Sequence, residues 1–186
     1  MVSLGALWLP ILLSAVFVFI VSAIIHMVLK YHNRDYRQLP NEDAVRAAIR
    51  SGKPAPGQYV TPYCADMKEM EKPEVKQKFV EGPVAFMYVR PSGAPTMGPA
   101  LGQWFAFCLL VSLFVAYIAG HVLAPGTPYL NVFRVVGATA FLAYAFGAIP
   151  AAIWMGKPWG VAVKEMFDGL VYGLVTAGTF GWLWPR

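Results

Sequence analysis

The stretch FDGLVYGLVTAGTFGWLW, residues 167–184, decides how the rest of this sequence folds. It is long and mostly apolar, yet it holds one carboxylate, Asp168, and a small residue at every fourth position: Gly169, Gly173, Ala177 and Gly181. Residues four apart lie on one face of an α-helix, so these four form an unbroken stripe. Small residues let two helix backbones approach closely in lipid. The stretch therefore predicts a membrane helix in close contact with another helix.

The whole chain has the composition of an integral membrane protein. It is 58% hydrophobic and 13% charged, whereas soluble domains carry roughly 25% charged residues. Eleven of the 15 Lys/Arg and eight of the 10 Asp/Glu lie in residues 30–99. Outside that window, four stretches approach the roughly 20 apolar residues that a spanning helix needs: residues 7–29, 102–122, 132–154 and 161–184.

These stretches predict an all-α membrane protein, a four-transmembrane-helix bundle with a small α+β cytoplasmic domain between helices 1 and 2. Residues 1–29 hold helix 1, residues 30–99 the polar domain, and residues 100–186 helices 2 to 4. Lys30, Arg34 and Arg37 follow the first helix and Lys157 lies between the third and fourth, whereas the connection HVLAPGTPYLN has no Lys or Arg. The positive-inside rule then predicts that both termini are periplasmic and the polar domain is cytoplasmic.

The polar domain shows local signals of order. Asn41 is a candidate N-cap for the helical segment EDAVRAAIR, and Pro73 begins a second helical segment, PEVKQKFVE. QYVTPY and PVAFMYV are strand candidates that would pair as an antiparallel hairpin. Its basic residues alternate with acids, as in KEMEKPEVKQK, so no one-signed surface for nucleic acid is predicted. With few large apolar side chains, this domain is expected to need support from the membrane helices or a neighbour.

Ionisable residues inside a membrane are candidate functional residues. Depth along the predicted helices places five polar side chains near the cytoplasmic side: His26, Gln103, Lys164, Glu165 and Asp168. One interpretation is a proton or ion relay from Asp168 and His26, continued by Tyr172 and Thr179. The favoured interpretation is interfacial anchoring, in which Lys164 neutralises Asp168 four residues further along the helix.

The sequence predicts no metal site, no catalytic site and no cofactor. It has no Cys/His cluster and no HExxH helix. His26 belongs to the cytoplasmic end of helix 1 and His121 to the external end of helix 2, and His32 lies in the stretch after helix 1. These heights predict no pair of axial haem ligands. A haem with a single histidine ligand, or a pigment bound by His26, is left open.

Other helices carry small-residue rows that would meet the stripe of the fourth helix. The third helix has Ala140, Ala143, Gly147 and Ala151, and the second has Ser112, Ala116 and Gly120. The predicted helix-packing residues are Gly169, Gly173, Ala177 and Gly181 against Ala143, Gly147 and Ala151. Rows on three helices exceed what one bundle needs, so we expect partners besides membrane lipids: a homo-oligomer or other membrane subunits.

Three segments, YRQLPNEDAVRAAIRSG, VAYIAGHVLAPG and FDGLVYGLVTAGTFGWLWP, resemble a family of small uncharacterised bacterial inner-membrane proteins of unknown function. The resemblance implies this architecture and the bacterial inner membrane, and it supplies no catalytic residues. The leading interpretation is a non-catalytic membrane subunit or scaffold that packs through small-residue helix faces, not an enzyme. The alternative is a small oligomeric channel or transporter with Asp168 and the Tyr172–Thr179 face lining a proton or ion path.

Overall fold

The computed structural model describes all residues, 1–186, and 68% of them are helical. Three helical segments are long and apolar enough to cross a membrane: Leu4–Leu29, Gly98–Val122 and Tyr129–Trp154. The chain divides into two compact units, which are described separately. The membrane unit comprises Met1–Tyr36 and Thr96–Arg186, and the polar unit comprises Arg37–Pro95. The mostly helical fold and the small sheet agree with the prediction from sequence, and three of the four predicted membrane helices are long and apolar enough to cross a membrane.

The membrane unit contains five α-helices. They are α1 (Trp8–Ala23), α4 (Gly98–Val122), α5 (Tyr129–Ala145), α6 (Ala148–Trp154) and α7 (Trp159–Trp182). A short 3₁₀-helix precedes α1, and a π-helical turn, Ile24–Leu29, continues it. Helix α7 is not one of the three candidate spans, and it carries three charged side chains in its first half.

The small-residue stripe of α7 lies against α5. A Cβ atom added at Gly169 would lie 2.8 Å from the Cα of Ala145, and one added at Gly173 would lie 3.1 Å from the backbone nitrogen of Phe141. Further along the same line, Gly181 faces the ring of Tyr129, with 2.6 Å left for a Cβ. Heavy atoms in ordinary contact stay about 3.5–4.0 Å apart. These glycines therefore leave space that the backbone and side chains of α5 occupy.

The face that α5 presents to this stripe differs from the predicted row. Gly137, Phe141 and Ala145 face α7, and a Cβ at Gly137 would lie 3.2 Å from that of Ala177. Ala143 and Gly147 are exposed, and Ala151 is half-buried. The helix is interrupted at residues 146–147 between α5 and α6, which shifts the contact register. Ala148 and Ala152 then pack with Ala162 near the start of α7.

Helices α1 and α4 meet through small and polar side chains. The hydroxyls of Ser14 and Ser112 lie 3.1 Å apart and are fully buried, and the Ser14 hydroxyl also donates to the carbonyl of Pro10. Buried hydroxyls need such partners because no water replaces them. Ser112, Ala116 and Gly120 are all buried, as the predicted small-residue row on the second helix requires.

The polar unit has two α-helices and one pair of antiparallel strands, which we call the hairpin although the second helix lies between its strands in sequence. The helices are α2 (Glu42–Ser51) and α3 (Pro73–Glu81), and the strands are β1 (Gly57–Thr61) and β2 (Ala85–Val89). The strands pair antiparallel, with Gly57 opposite Val89 and Thr61 opposite Ala85, which confirms the predicted pairing. Helix α2 begins directly after Asn41, although the Asn41 side chain makes no capping hydrogen bond.

The boundaries of the polar unit are narrower than the predicted residues 30–99. Residues 30–36 belong to the membrane unit because their side chains bond to α7, and residues 96–99 lead into α4 and begin it. No residue of the polar unit is buried. Its secondary structure is formed, but it has no core of its own.

Candidate functional site

A polar cluster lies at the end of the membrane unit where α1 finishes and α7 begins. The π-helical turn Ile24–Leu29 ends at Lys30, whose backbone is left-handed (φ 52°, ψ 18°), and a 3₁₀ turn, Tyr31–Arg34, follows. A non-glycine residue in the left-handed backbone conformation costs about 1–2 kcal/mol, and it persists only where surrounding contacts hold it there. Here the contacts come from residues 31–35, which we call the strap, to the first half of α7.

Asp168 is the centre of the cluster. It is only 4% exposed, and both of its carboxylate oxygens have partners. One oxygen accepts a hydrogen bond from the hydroxyl of Tyr31, and the other lies 2.7 Å from Nε2 of His32. A buried carboxylate is costly unless it is paired and hydrogen-bonded. The strap therefore supplies the polar partners that permit an aspartate in this apolar segment.

The imidazole of His32 lies between two carboxylates. Its Nδ1 is 2.7 Å from Asp35, and its Nε2 is 2.7 Å from Asp168. A neutral imidazole has a single N–H and can donate to only one of these groups. Both contacts are favourable at once when the ring or the Asp168 carboxyl carries a further proton, or when another cation lies between a nitrogen and a carboxylate. The arrangement therefore has room in its hydrogen bonding for one added positive charge.

Lys164 binds the strap instead of Asp168. Its ammonium group lies 2.5 Å from Asp35 and 3.3 Å from the carbonyl oxygen of Tyr31. The hydrogen bond from Lys164 lowers the pKa of Asp35, more than desolvation raises it, and the bond from His32 acts in the same direction as Lys164. The predicted pairing of Lys164 with Asp168 is wrong, because the strap brings Asp35 within reach of the lysine and His32 within reach of Asp168.

The other two members of the predicted cluster lie outside it. Glu165 is bound by Lys157, with 2.5 Å between the ammonium nitrogen and a carboxylate oxygen. Gln103 is exposed on α4 and makes no hydrogen bond to the cluster.

His26 completes the cluster from the α1 side. Its ring stacks on that of His32, with centroids 4.8 Å apart and planes 7° apart, and its Nδ1 lies 3.0 Å from the carbonyl oxygen of Ser22. One donor atom each from His26, His32 and Asp168 lie within 4.8 Å of one another, and these are residue types that bind metal ions. The heights inferred from sequence kept His26 and His32 apart. The strap brings them together, but stacked rings present faces to each other and cannot ligate a haem iron between them.

The face of α7 beyond Asp168 does not continue the cluster as a hydrogen-bonded chain. Tyr172 packs edge-on against the rings of Trp104 and Tyr144, and its buried hydroxyl has no hydrogen-bond partner. The hydroxyls of Thr176 and Thr179 donate to carbonyls of their own helix. The proton- or ion-path alternative stays a prediction, without a connected route in this structure.

Sequence reasoning missed the strap: Tyr31, His32 and Asp35. In the sequence, Lys30, Arg34 and Arg37 dominate the segment after helix 1, and they indicate only the orientation of the chain in the membrane. The signal that was present is the i,i+3 spacing of His32 and Asp35, which puts both side chains on one side of a helical turn. This spacing does not predict the left-handed backbone of Lys30, which turns the pair back onto α7.

Comparison with protein-family profiles, with curated protein sequences and with solved structures finds no match to this chain.

Proposed function

We propose that this chain is a four-pass, non-catalytic membrane subunit or scaffold, whose polar unit is completed by a partner protein. The observation that carries the proposal is that none of the residues in Arg37–Pro95 is buried. A domain of about 60 residues buries only about 60% of the surface that its unfolded chain exposes, so it is marginally stable even with a packed core. The polar unit has two helices and a hairpin without such a core.

The apolar side chains of the polar unit are the surface on which the partner would bind. Val80 on α3 is 84% exposed and Tyr63 is 75% exposed, while Val84 and Phe86 at the second strand are also exposed. Helix α2 adds Val45, at 37% exposure. Apolar side chains on a fixed secondary-structure frame, without a core beneath them, are typical of a segment that is covered in an assembly.

The proposal includes a fourth membrane crossing by α7. This helix has 24 residues, which span about 36 Å at ~1.5 Å per residue, enough for the ~30 Å hydrocarbon core. Its three charged side chains lie in its first half, and each has an opposite charge or hydrogen-bond partner: Lys164 with Asp35, Glu165 with Lys157, and Asp168 with the strap. Pairing lowers the cost of placing such groups at a membrane interface.

The polar cluster around Asp168 has a structural role in this proposal, because it holds the strap against α7. Three side chains of the strap bind α7, so the chain leaves the helices at a fixed position before it enters the polar unit. The compartment that fits the resemblance is a bacterial inner membrane, with the polar unit cytoplasmic and both termini periplasmic. The partner is a second copy of the chain or another membrane subunit.

The test is native mass spectrometry of the full chain released from its own membranes in mild detergent. We expect a complex of fixed stoichiometry that is lost in Val80→Ser, since this change removes an exposed apolar side chain of α3. Lys76→Ser, on the same helix and also exposed, is the matched control and should keep the complex. A wild-type chain that is monomeric under these conditions, or equal loss in both variants, would contradict the proposal.

A further inference from the structure

We propose that His26, His32 and Asp168 together bind one divalent first-row transition-metal ion, for which zinc is the representative probe. This goes beyond the subunit role, which does not depend on a metal. The three donors come from the π-helical end of α1, the strap and α7, and their donor atoms lie within 4.8 Å of one another. Two imidazoles and one carboxylate suit zinc and its neighbours in the series, whereas magnesium and calcium prefer all-oxygen sites.

Each of the three donors is already oriented by an outer group. Nδ1 of His32 is 2.7 Å from Asp35, and Nδ1 of His26 is 3.0 Å from the carbonyl of Ser22. Asp168 accepts from the hydroxyl of Tyr31. Metal-binding histidines almost always donate their second N–H to a carboxylate or a backbone carbonyl, which leaves the other nitrogen to the metal. Both histidines show this pattern, and both leave Nε2 as the available donor.

Charge balance at the cluster also favours a cation. Asp35 and Asp168 bring two carboxylates, and the one permanent cation that contacts them, Lys164, is bonded to Asp35. Asp168 has only the Tyr31 hydroxyl and the His32 imidazole as hydrogen-bond partners. A divalent ion between His32 and Asp168 takes the place of the proton that their 2.7 Å contact otherwise requires, and it lets His32 donate to Asp35 as a neutral ring.

Metal binding needs the stacked rings of His26 and His32 to tilt, so that the Nε2 atoms of both point at one ion. Zinc–nitrogen and zinc–oxygen bonds of about 2.0–2.2 Å place tetrahedral donors roughly 3.4 Å apart. Nε2 of His32 and the carboxylate oxygen of Asp168, now 2.7 Å apart, must therefore move apart by about 0.7 Å, and donors up to 4.8 Å apart must close by about 1.4 Å. His26 is the exposed member and lies in the π-helical turn, so its ring is the one that moves. Three protein ligands leave a fourth position to water or to another ligand.

The test is zinc titration of the metal-free, tag-free full chain in detergent micelles by isothermal calorimetry, with cobalt(II) absorption to report coordination. We expect one ion per chain in the wild type. His26→Ala and His32→Ala should each weaken binding by at least about 100-fold, because each removes a direct ligand. His26 is exposed, so its replacement leaves the fold intact even if Asp168 variants do not assemble.

His121→Ala is the matched control. His121 is the remaining histidine, also exposed near a helix end, and its Nδ1 lies 2.7 Å from the carbonyl four residues earlier, as in His26. It lacks a second histidine and a carboxylate beside it, so its removal should leave zinc affinity unchanged. Asp35→Asn, which alters the outer partner of His32 and also removes the carboxylate bound by Lys164, should weaken affinity by about 10–100-fold. No binding, binding unaffected by His26→Ala, or equal loss in His121→Ala would overturn the proposal.

Discussion

The membrane unit and the polar unit differ in how many of their residues they bury. In the membrane unit, Phe180, Leu7 and Val18 are fully buried, and glycines bring two helix backbones into direct contact. In the polar unit, the backbone is paired in a hairpin and coiled in two helices, yet no residue is buried. The first unit has a packed interior within one chain, and the second has none.

This difference shows that a segment can form secondary structure without forming a packed interior. Lipid forces each spanning helix to satisfy its own backbone, and close packing then depends on the absence of side chains at the contact. In water, burial of apolar side chains is the dominant favourable term, so a segment of 59 residues with few of them gains little from folding alone. Four substitutions or changes of pH should therefore affect the two units very differently.

The largest effect should come from a side chain placed in the contact between α5 and α7. Gly169→Leu would place its Cβ within 2.7–2.9 Å of the Cβ and backbone atoms of Ala145. We expect a loss of at least about 3 kcal/mol in the free energy of unfolding, or failure to assemble. Thermal unfolding in detergent, followed by circular dichroism, measures it.

Gly160→Leu is the control for this prediction on the same helix. A Cβ at Gly160 meets nothing within 4 Å, so the change should alter stability by less than about 0.5 kcal/mol. Equal effects at Gly160 and Gly169 would mean that helix propensity, and not the contact with α5, governs the result.

The second effect is release of the strap. Asp168→Ala leaves the Tyr31 hydroxyl and His32 without their acceptor, a loss of about 1–3 kcal/mol. Because proteolysis follows the open population, trypsin should cut at Arg34 about ten- to hundredfold faster. Asp43→Ala, which removes an exposed carboxylate of α2, serves as the control. Unchanged cleavage in Asp168→Ala would show that the strap is held by something else.

The third effect is pH-dependent and concerns Asp35. Its pKa is lowered by the hydrogen bond from Lys164, so its contribution to strap binding is complete above the ordinary aspartate pKa, about 3.8. That contribution is lost as pH falls below this value and through the lowered pKa. A spin label at Asn33→Cys, in a Cys64→Ser background, should stay immobile at neutral pH and become mobile below about pH 4. The transition should be absent in Asp35→Asn; a transition that persists there would assign it to another group.

The smallest effect should come from the polar unit. Val80→Ser removes an apolar side chain that is 84% exposed, so the unfolding free energy of the isolated chain should change by less than about 0.5 kcal/mol. The same variant is expected to lose the partner, so the two measurements separate stability from association. A loss above about 1 kcal/mol in the isolated chain would show that Val80 is already packed within it.

The sequence was sufficient for features that depend on neighbouring residues. The apolar stretches, the hairpin between QYVTPY and PVAFMYV, and the small-residue row on α4 follow from composition and periodicity, which are local properties. The partner row on α5 was not predictable in the same way. It depends on the interruption at residues 146–147, and a shift of one residue there exchanges Gly147 and Ala151 for Ala148 and Ala152.

The polar cluster shows the same limit at a functional site. Asp168 and His26 were identified because a charged or titratable residue in an apolar helix is conspicuous. Their partners Tyr31, His32 and Asp35 come from a segment whose direction is set by one backbone angle, at Lys30. The spacing rule for residues four apart in a helix predicts an ion pair between Lys164 and Asp168. In the structure each of these two residues instead binds a residue more than 100 positions away in sequence.

Amide hydrogen exchange of the monomeric chain in detergent tests the central contrast most directly. We expect α5 and α7 to exchange slowly, at the level of global unfolding, and residues 37–95 to exchange orders of magnitude faster despite their helices and hairpin. Addition of the co-purified partner should slow exchange in the polar unit alone. Slow exchange throughout the polar unit of the isolated monomer would contradict the account, because it would show a unit that is stable without a partner.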